Sequence, residues 1–510
     1  MAAMDRRTFL RTGIAAGSGV AALGGLAPAA PALVRSGRPR LTHGVQSGDV
    51  TARSAVVWAR ADRPSRMLVE VSTRPDFARA RTLRGPVLTP ATDLTGKTLV
   101  RGLPSGEGVH YRVRLADLDD ASLLSAPVRG RFRTAPARHG DVRFVWSGDL
   151  AGQGWGINPD IGGYRIFQAM GRLEPDFFLC SGDLVYSDGP LTETVSLPGG
   201  RTWRNVVTAE KTKVAETLAE FRGQFRYNLL DDNLRAFNAA VPMVYQWDDH
   251  ETRNNWYPGQ ILDDARYTEK NIDVLAARAR RALGEYTPIT PRGTIYRKIS
   301  YGPLLDVFVL DMRTFKDPNG PNNSPTATEG LLGAEQTAWL TRELKASRAT
   351  WKVIANDMPL GLVVPDGANF EAAAQGDGGV PLGREREIAD VLAFIKHQRI
   401  TGTLWVTADV HYTAAHYYDP AKAAFQDFAP FWEFVSGPLN AGAFGPNALD
   451  GTFGPQVRFQ QAPPAANTSP ADGFQFFGEV AIDGHTEMLT VRLRDQSGAA
   501  LFTVDLPSPR

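Results

Sequence analysis

Five stretches of this chain end an apolar run in acids, amides or histidines: Ser147-Gly148-Asp149, Ser181-Gly182-Asp183-Leu184-Val185-Tyr186, Trp247-Asp248-Asp249-His250-Glu251, Ile354-Ala355-Asn356-Asp357 and Thr407-Ala408-Asp409-Val410-His411. In α/β folds ligands gather beyond the carboxyl ends of strands, so the five clusters are expected to converge. Carboxylates brought together without cations repel one another and their pKa values rise. A pair of metal ions removes that cost, and two metals about 3.5–4 Å apart are the usual apparatus for in-line attack at phosphorus. One Gly-Asp after a strand is ordinarily a turn. Two of them, followed by Asp-His-Glu and Asp-Val-His at strand ends, point instead to a metal site. With 8 histidines and one cysteine, Cys180, such a site has to lean on Asp, Asn and Tyr. The single cysteine also excludes a disulfide framework and a Cys-built zinc or iron–sulfur site.

The elements that would carry these residues are legible as short apolar runs. Strands are expected at Val142–Trp146, Phe177–Cys180, Pro242–Trp247, Leu305–Leu310, Lys352–Ala355 and Leu404–Thr407. They alternate with helices expected at Tyr164–Gly171, Lys213–Tyr227, Thr268–Ala282, Ala334–Ser347 and Arg384–His397, a pattern of stacked α/β layers. Residues 474–506 return to β as a closing hairpin, and the Gly- and Pro-rich stretches 186–205 and 440–470 read as long surface loops. Ahead of the α/β part, residues 41–136 hold only short alternating runs between Gly, Pro and Asp turns, as in Tyr111-Arg112-Val113-Arg114-Leu115. That predicts an N-terminal β-sandwich of the fibronectin or immunoglobulin kind, with a linker at 137–140 and a catalytic domain over 141–506.

Residues 1–32 read as an export signal. Asp5-Arg6-Arg7-Thr8-Phe9-Leu10-Arg11 precedes an Ala/Gly-rich apolar run and a small-residue cleavage site, in the manner of the twin-arginine pathway. The apolar run is too short and too small-residue-rich for a transmembrane anchor. A periplasmic or secreted protein that meets the twin-arginine translocation machinery is expected. The formal net charge of +1 gives no sign of nucleic-acid or anionic-membrane binding, and 43% hydrophobic with 22% charged residues excludes wholesale disorder.

Gly182-Asp183-Leu184-Val185-Tyr186 resembles the GDxxY motif of purple acid phosphatases and of the wider calcineurin-like metallophosphoesterases. Trp247–Glu251, Leu310-Asp311-Met312-Arg313, Asp409-Val410-His411 and the early Gly44-Val45-Gln46-Ser47-Gly48-Asp49 resemble the PhoD-like alkaline phosphatase family, over residues 41 to 505. The resemblance implies an α/β/β/α catalytic domain and a secreted, metal-dependent phosphatase or phosphodiesterase that acts on small phosphate esters by in-line attack of a metal-bound hydroxide. The alternative is a phospholipase D-type phosphodiesterase of the same family. By resemblance Fe³⁺ would take Asp149, the bridging Asp183, Tyr186 and His411, and Ca²⁺ or another divalent ion would take Asp183, Asp249, Asn356 and Asp409. Hard oxygen donors suit those ions better than zinc. Better-known members carry a cysteine where this chain has Asp149, while Cys180 reads as core packing. Asp357 is an alternative to Asn356. His250 is expected to steady the phosphoryl oxygens or protonate the leaving group. Arg313 is expected to bind phosphate, with an ion pair to a carboxylate as the alternative. Ser147 and Ser181 are read as pointing back along their strands, not as nucleophiles.

Overall fold

Large apolar residues recur in every strand of the catalytic region, and the computed structural model, which describes residues 37–290, 294–326 and 329–509, shows why. The export-signal expectation for residues 1–32 lies outside the described residues. Strands β1 (Val142–Ser147), β2 (Phe177–Ser181) and β3 (Met243–Gln246) run parallel in one sheet. Strands β4 (Leu305–Val309), β5 (Trp351–Ala355) and β6 (Thr403–Thr407) run parallel in a second. Side chains alternate across each strand. Phe144, Trp146, Leu179 and Val244 meet Val307, Val353, Leu404 and Val406 in a buried layer between the sheets. Their neighbours face outward onto helices: Val145, Phe178 and Tyr245 on the first sheet, Phe308, Ile354 and Trp405 on the second. Both faces of each sheet are covered, so the runs read as continuously apolar.

Helices α1 (Ile166–Arg172), α2 (Leu218–Asn228), α3 (Asp232–Ala240) and α4 (Ile272–Tyr286) cover the first sheet. Helices α5 (Ala334–Ala346) and α6 (Glu385–His397) cover the second, completing four layers, α/β/β/α. Two expected helix starts move downstream to their caps. Thr217 and Glu220 form a capping box ahead of α2, and the Asn271 side chain accepts from Asp273 N ahead of α4. Helix α3, capped by Asp231, was absent from the expected set because its nine residues carry too short a periodic pattern.

The N-terminal sandwich forms, but not as a body apart. Its strands Leu41–Gly48, Ser54–Ala61 and Thr95–Arg101 extend the first catalytic sheet, with Gly48 in parallel register with Met243. The facing sheet of four, Arg81–Leu88, Ser65–Ser72, Gly108–Ala116 and Val128–Arg133, closes over Val57, Met67, Val69, Tyr111 and Val113. Residues Arg38–Arg510 form one unit, so 137–140 is a turn between contiguous layers. The C-terminal hairpin is three strands, Phe476–Ile482, Leu489–Asp495 and Ala500–Leu506, added antiparallel to the edge of β1. The two stretches read as surface loops hold a small hairpin at Thr194–Ser196 and Thr202–Arg204 and a strand at Pro455–Gln461, and residues 439–443 are buried against the site.

Candidate metal centre

Because β1–β3 and β4–β6 each run parallel, their carboxyl ends open on a shared edge, where a cleft of about 260 Å³ is lined by Asp183, Asp249, His250, Asp409 and His411. A larger groove of about 660 Å³ at the opposite end of β1 contains the ion pairs Arg131–Glu174 and Arg133–Asp176. In the cleft, Asp149, Asp183 and His411 offer ligand atoms all within 4.8 Å of one another, and so do Asp183, Asp249 and His250. Asp183 belongs to both groups, the position of a bridging ligand. The Tyr186 hydroxyl is 2.9 Å from His411 Nε2, and His411 Nε2 is 3.6 Å from Asp149 Oδ1.

The backbone at these residues is unusual. Asp149, Asp183, Asp409 and His411 all have left-handed φ values of 62°, 50°, 64° and 59°. Such conformations cost about 1–3 kcal/mol each and persist only where the surroundings impose them. Here the surroundings are visible. The Asp149 carbonyl accepts from the N–H groups of Leu439, Asn440 and Ala441, and Leu150 N donates to the Asp183 carbonyl at 2.9 Å. Glu251, buried beneath, accepts from Leu184 N at 2.7 Å and Asp248 N at 2.8 Å, fastening the second and third motifs together. Gly182 precedes the bridging aspartate for two reasons: its φ is +89°, and a Cβ there would lie 2.3 Å from Asp248 Cβ. Gly152 is fixed by approach alone, since a Cβ would lie 2.3 Å from the Tyr186 ring.

The donor set fits cations. Both oxygens of Asp149, Oδ2 of Asp409 and Oδ1 of Asn356 are buried without a hydrogen-bond partner, a costly state that a bound cation relieves. Burial, reinforced by neighbouring carboxylates, pushes the acids of Asp149, Asp183 and Asp409 well above the usual carboxylate range. His411 is pushed down to about 4 by burial, and its Nδ1 donates to the Gly442 carbonyl at 2.5 Å, which leaves the Nε2 lone pair aimed at Asp149 and Tyr186. Burial and the charges of Asp183 and Asp149 push the Tyr186 phenol up, so only a cation would bring it to the phenolate. Asn356 donates its amide to the Met358 carbonyl at 2.6 Å and keeps its oxygen free. Asp357, the alternative ligand, instead lies 3.6 Å from Arg313 Nε.

His250 lies at the rim, its ring centroid 4.2 Å from that of Tyr186. Its sequence neighbours Asp248 and Glu251 are not its partners. Nδ1 bonds Asp188 Oδ1 at 2.7 Å, and Asp188 Oδ2 accepts from Asn254 N at 2.9 Å. Burial opposes the charged imidazole, but the carboxylates of Asp188 and Asp249 outweigh it and raise His250 to about 10. Asp188 was not singled out in the sequence. The only signal was its place just past Tyr186, which looks the same as a turn aspartate.

Arg313 requires a correction. It does not reach the cleft as a phosphate ligand: its side chain is 0% exposed, behind the acidic cluster. Nε donates to Asp248 Oδ1 at 2.5 Å, the guanidinium is paired with Glu371, and Asp409 and Asp249 lie 3.8 and 3.9 Å from it. The ion-pair alternative is the arrangement present. Trp155 packs edge-on against Trp203 and donates to Asn467, Cys180 sits in the core, and the Ser147 hydroxyl donates to the Phe476 carbonyl away from the cleft.

Two parallel ladders facing each other, with acidic loops meeting at one edge around orphaned ligand atoms, define a metal-binding phosphoesterase domain. The chain belongs to the PhoD-like phosphatase family, whose sequence pattern matches residues 144–493, with the family's N-terminal domain matched over residues 26–136. It is 28% identical over 439 residues to alkaline phosphatase D of Bacillus subtilis (strain 168), covering 79% of this chain and 70% of that one. Its fold is similar to a solved structure of PhoD (TM-score 0.69, 21% identity, 94% of this chain and 92% of the other). It is also similar to the purple acid phosphatase PPD1 from yellow lupin seeds (TM-score 0.57, 12% identity, 93% and 75%). The chain is therefore a phosphoric ester hydrolase, and among the described residues no helix is long and apolar enough to cross a membrane.

Proposed function

We propose that the chain is an exported alkaline phosphatase or phosphodiesterase with a dinuclear centre. Asp149, Asp183, Tyr186 and His411 would hold Fe³⁺, and Asp183, Asp249, Asn356 and Asp409 would hold Ca²⁺ or another divalent ion. The observation that carries this reading is the gathering of Asp149, Asp183, Asp249 and His411 from four strand ends, with both oxygens of Asp149 and Oδ2 of Asp409 left without a hydrogen-bond partner. Bound there, two cations supply Lewis-acid polarisation and neutralise charge developing on a phosphoryl group. The protein's own contribution is positional. Asp188 holds Nδ1 of His250, so that Nε2 faces the cleft and the cationic imidazole can steady phosphoryl oxygens or give its proton to the departing alcohol. Arg313 holds Asp248 behind the cleft and Glu371 in its wall and offsets part of the acidic charge. The Ser147 hydroxyl is committed to the Phe476 carbonyl, which leaves a metal-activated water as the nucleophile of this reading.

Export by the twin-arginine machinery rests on the Arg6-Arg7 segment, and the phosphomonoester preference on the likeness to alkaline phosphatase D. Initial rates on p-nitrophenyl phosphate, bis-p-nitrophenyl phosphate and phosphatidylcholine test the substrate class. A kcat/KM highest for the monoester supports the phosphatase reading, and one highest for the lipid supports the phospholipase D-type alternative. Turnover of none of the three by metal-loaded protein refutes the proposal. A visible band in iron-loaded protein that disappears in Tyr186→Phe tests the tyrosinate.

A further inference from the structure

A net charge of +1 hides an uneven distribution. The four-stranded sheet of the N-terminal sandwich turns Met67, Val69, Tyr111, Val113 and Phe132 into its core, and alternation sends their neighbours outward. Those neighbours are largely arginines, and Glu70 is the only acid in the four strands.

The register sets the arginines in rows across the sheet. Arg84 and Arg114 stand on either side of Leu68. In the next row Glu70 is followed by Arg112 and then by Arg129. Glu70 accepts from Arg112 at 2.7 and 2.9 Å and lies 3.6 Å from Arg114. Among the described residues neither Arg84 nor Arg129 has an ion pair, and the Arg66 side chain donates to the Gly85 carbonyl. Only at the edge of the sheet are Arg131 and Arg133 matched, by Glu174 and Asp176. The exposed acids Asp76, Asp119 and Asp120 belong to the turns beyond the strand ends.

Arg112 and Arg129 are directly opposite one another on neighbouring strands, and their guanidinium groups lie 4.5 and 5.5 Å from the centroid of the same ring, Phe77. Like charges facing each other across strands destabilise a sheet. The core of the sandwich does not require them, because these side chains point away from it. A surface that gathers cations against that cost is complementary to a polyanion. Its shape narrows the partner. Neighbouring strands are about 4.8 Å apart and alternate residues along a strand about 6.8 Å apart, so the cations form a two-dimensional array and not a single line. Guanidinium forks match phosphate oxygens. Stacking of nucleic-acid bases needs open aromatic faces, and Phe77 is 8% exposed beneath two guanidinium groups.

We propose that the outer face of the N-terminal sandwich, through Arg84, Arg114 and Arg129, docks on an anionic phospholipid membrane and holds the enzyme at the bilayer surface by its phosphate headgroups. The face lies outside the catalytic cleft and needs no metal.

Sedimentation of the protein, purified from its own host, with vesicles of equal parts phosphatidylglycerol and phosphatidylcholine tests it. Wild type is expected to sediment with these vesicles, to stay in solution with phosphatidylcholine alone, and to be released by high salt. Each arginine beside an anionic surface contributes about a fivefold factor, so the triple variant Arg84→Gln, Arg114→Gln, Arg129→Gln is expected to bind about a hundredfold more weakly. Its kcat/KM for p-nitrophenyl phosphate is expected to be unchanged. A variant with the same loss of charge at exposed positions elsewhere, Lys345→Gln, Arg348→Gln, Arg399→Gln, is expected to bind as wild type does. Protein treated with a chelator is expected to bind equally well, which separates docking from lipid held as substrate in the cleft and from any failure of the metal-centre reading. Should the triple variant fail to fold, Arg84→Gln alone has no ion pair to lose and is expected to bind about fivefold more weakly. Equal vesicle binding by wild type and the face variants overturns the proposal, and so does an equal loss in the control variant. Binding to single-stranded DNA or an anionic polysaccharide, with none to the vesicles, also overturns it.

Discussion

Replacing Arg313 by methionine separates the two roles this residue can have. The guanidinium is 0% exposed and faces five carboxylates: Asp248 and Glu371 in contact, and Asp357, Asp409 and Asp249 at 3.6, 3.8 and 3.9 Å. Lys316 lies 3.9 Å from Glu371, and His250 Nε2 lies 3.9 Å from Asp249. Methionine fills most of the volume and removes the charge, leaving Asp248 and Glu371 buried without compensation. Breaking a buried pair in this way costs about 3–5 kcal/mol. At 1.36 kcal/mol per factor of ten, that is about 10²–10⁴ in the unfolding equilibrium constant. Arg313→Lys keeps the charge but loses the fork, so a smaller loss of about 1.5–3 kcal/mol follows, in the range of hydrogen bonds to charged groups. Guanidinium denaturation with and without metal reads both. A methionine variant within about 0.5 kcal/mol of wild type, the range of surface substitutions, combined with a raised KM would refute the buried counter-ion account and restore a phosphate-binding role.

Asp188→Asn removes the main charge that raises His250 to about 10, so the alkaline limb of kcat/KM should move to lower pH. An unmoved limb in the pH–rate profile means that His250 is not the titrating group. Protein stripped of metal should gain stability as pH falls. The acids of Asp149, Asp183 and Asp409 are raised when folded, so their contribution is full below the unfolded carboxylate range and is lost as pH rises through the raised values. Metal-loaded protein should lack this gain, and identical pH–stability curves for both forms would contradict it. Gly182→Ala combines a left-handed φ, at about 1–2 kcal/mol, with a close approach to Asp248, at about 1–3 kcal/mol. The denaturation midpoint should drop accordingly, with metal content reduced; an unchanged midpoint would show that the loop can relax.

The catalytic layers were readable because their information is local: apolar runs of strand length, each followed at once by the residues it presents. That is why the strand-end clusters stand out by pattern, while the choice of Asp149, Asp183, Asp249, Asp409 and His411 within them comes from the family resemblance; Asp149, Asp183 and His411 lie together, as do Asp183 and Asp249. What was not readable depends on packing between distant segments. Nothing next to Asp188 in the chain shows that it will meet a histidine 62 residues away, and nothing next to Arg313 shows that Asp248 and Glu371 will enclose it. Glu251 was quoted only as a motif neighbour, although it fastens two motif loops. The joining of the sandwich to the catalytic sheet turns on Gly48 lying alongside Met243, a register that alternation within either strand does not specify. The left-handed aspartates are likewise imposed by the segment at 439–441 and not by their own residue type.

The central claim is that the strand-end acids hold two cations through one shared carboxylate, Asp183. Metal analysis of wild type and Asp183→Asn tests it most directly. Two tightly held metal ions per chain are expected, one with Asp149, Asp183, Tyr186 and His411 and one with Asp183, Asp249, Asn356 and Asp409, and both are expected to be lost in the variant, with hydrolysis lost alongside. Retention of either ion at full occupancy in Asp183→Asn would show that the two groups do not form one centre.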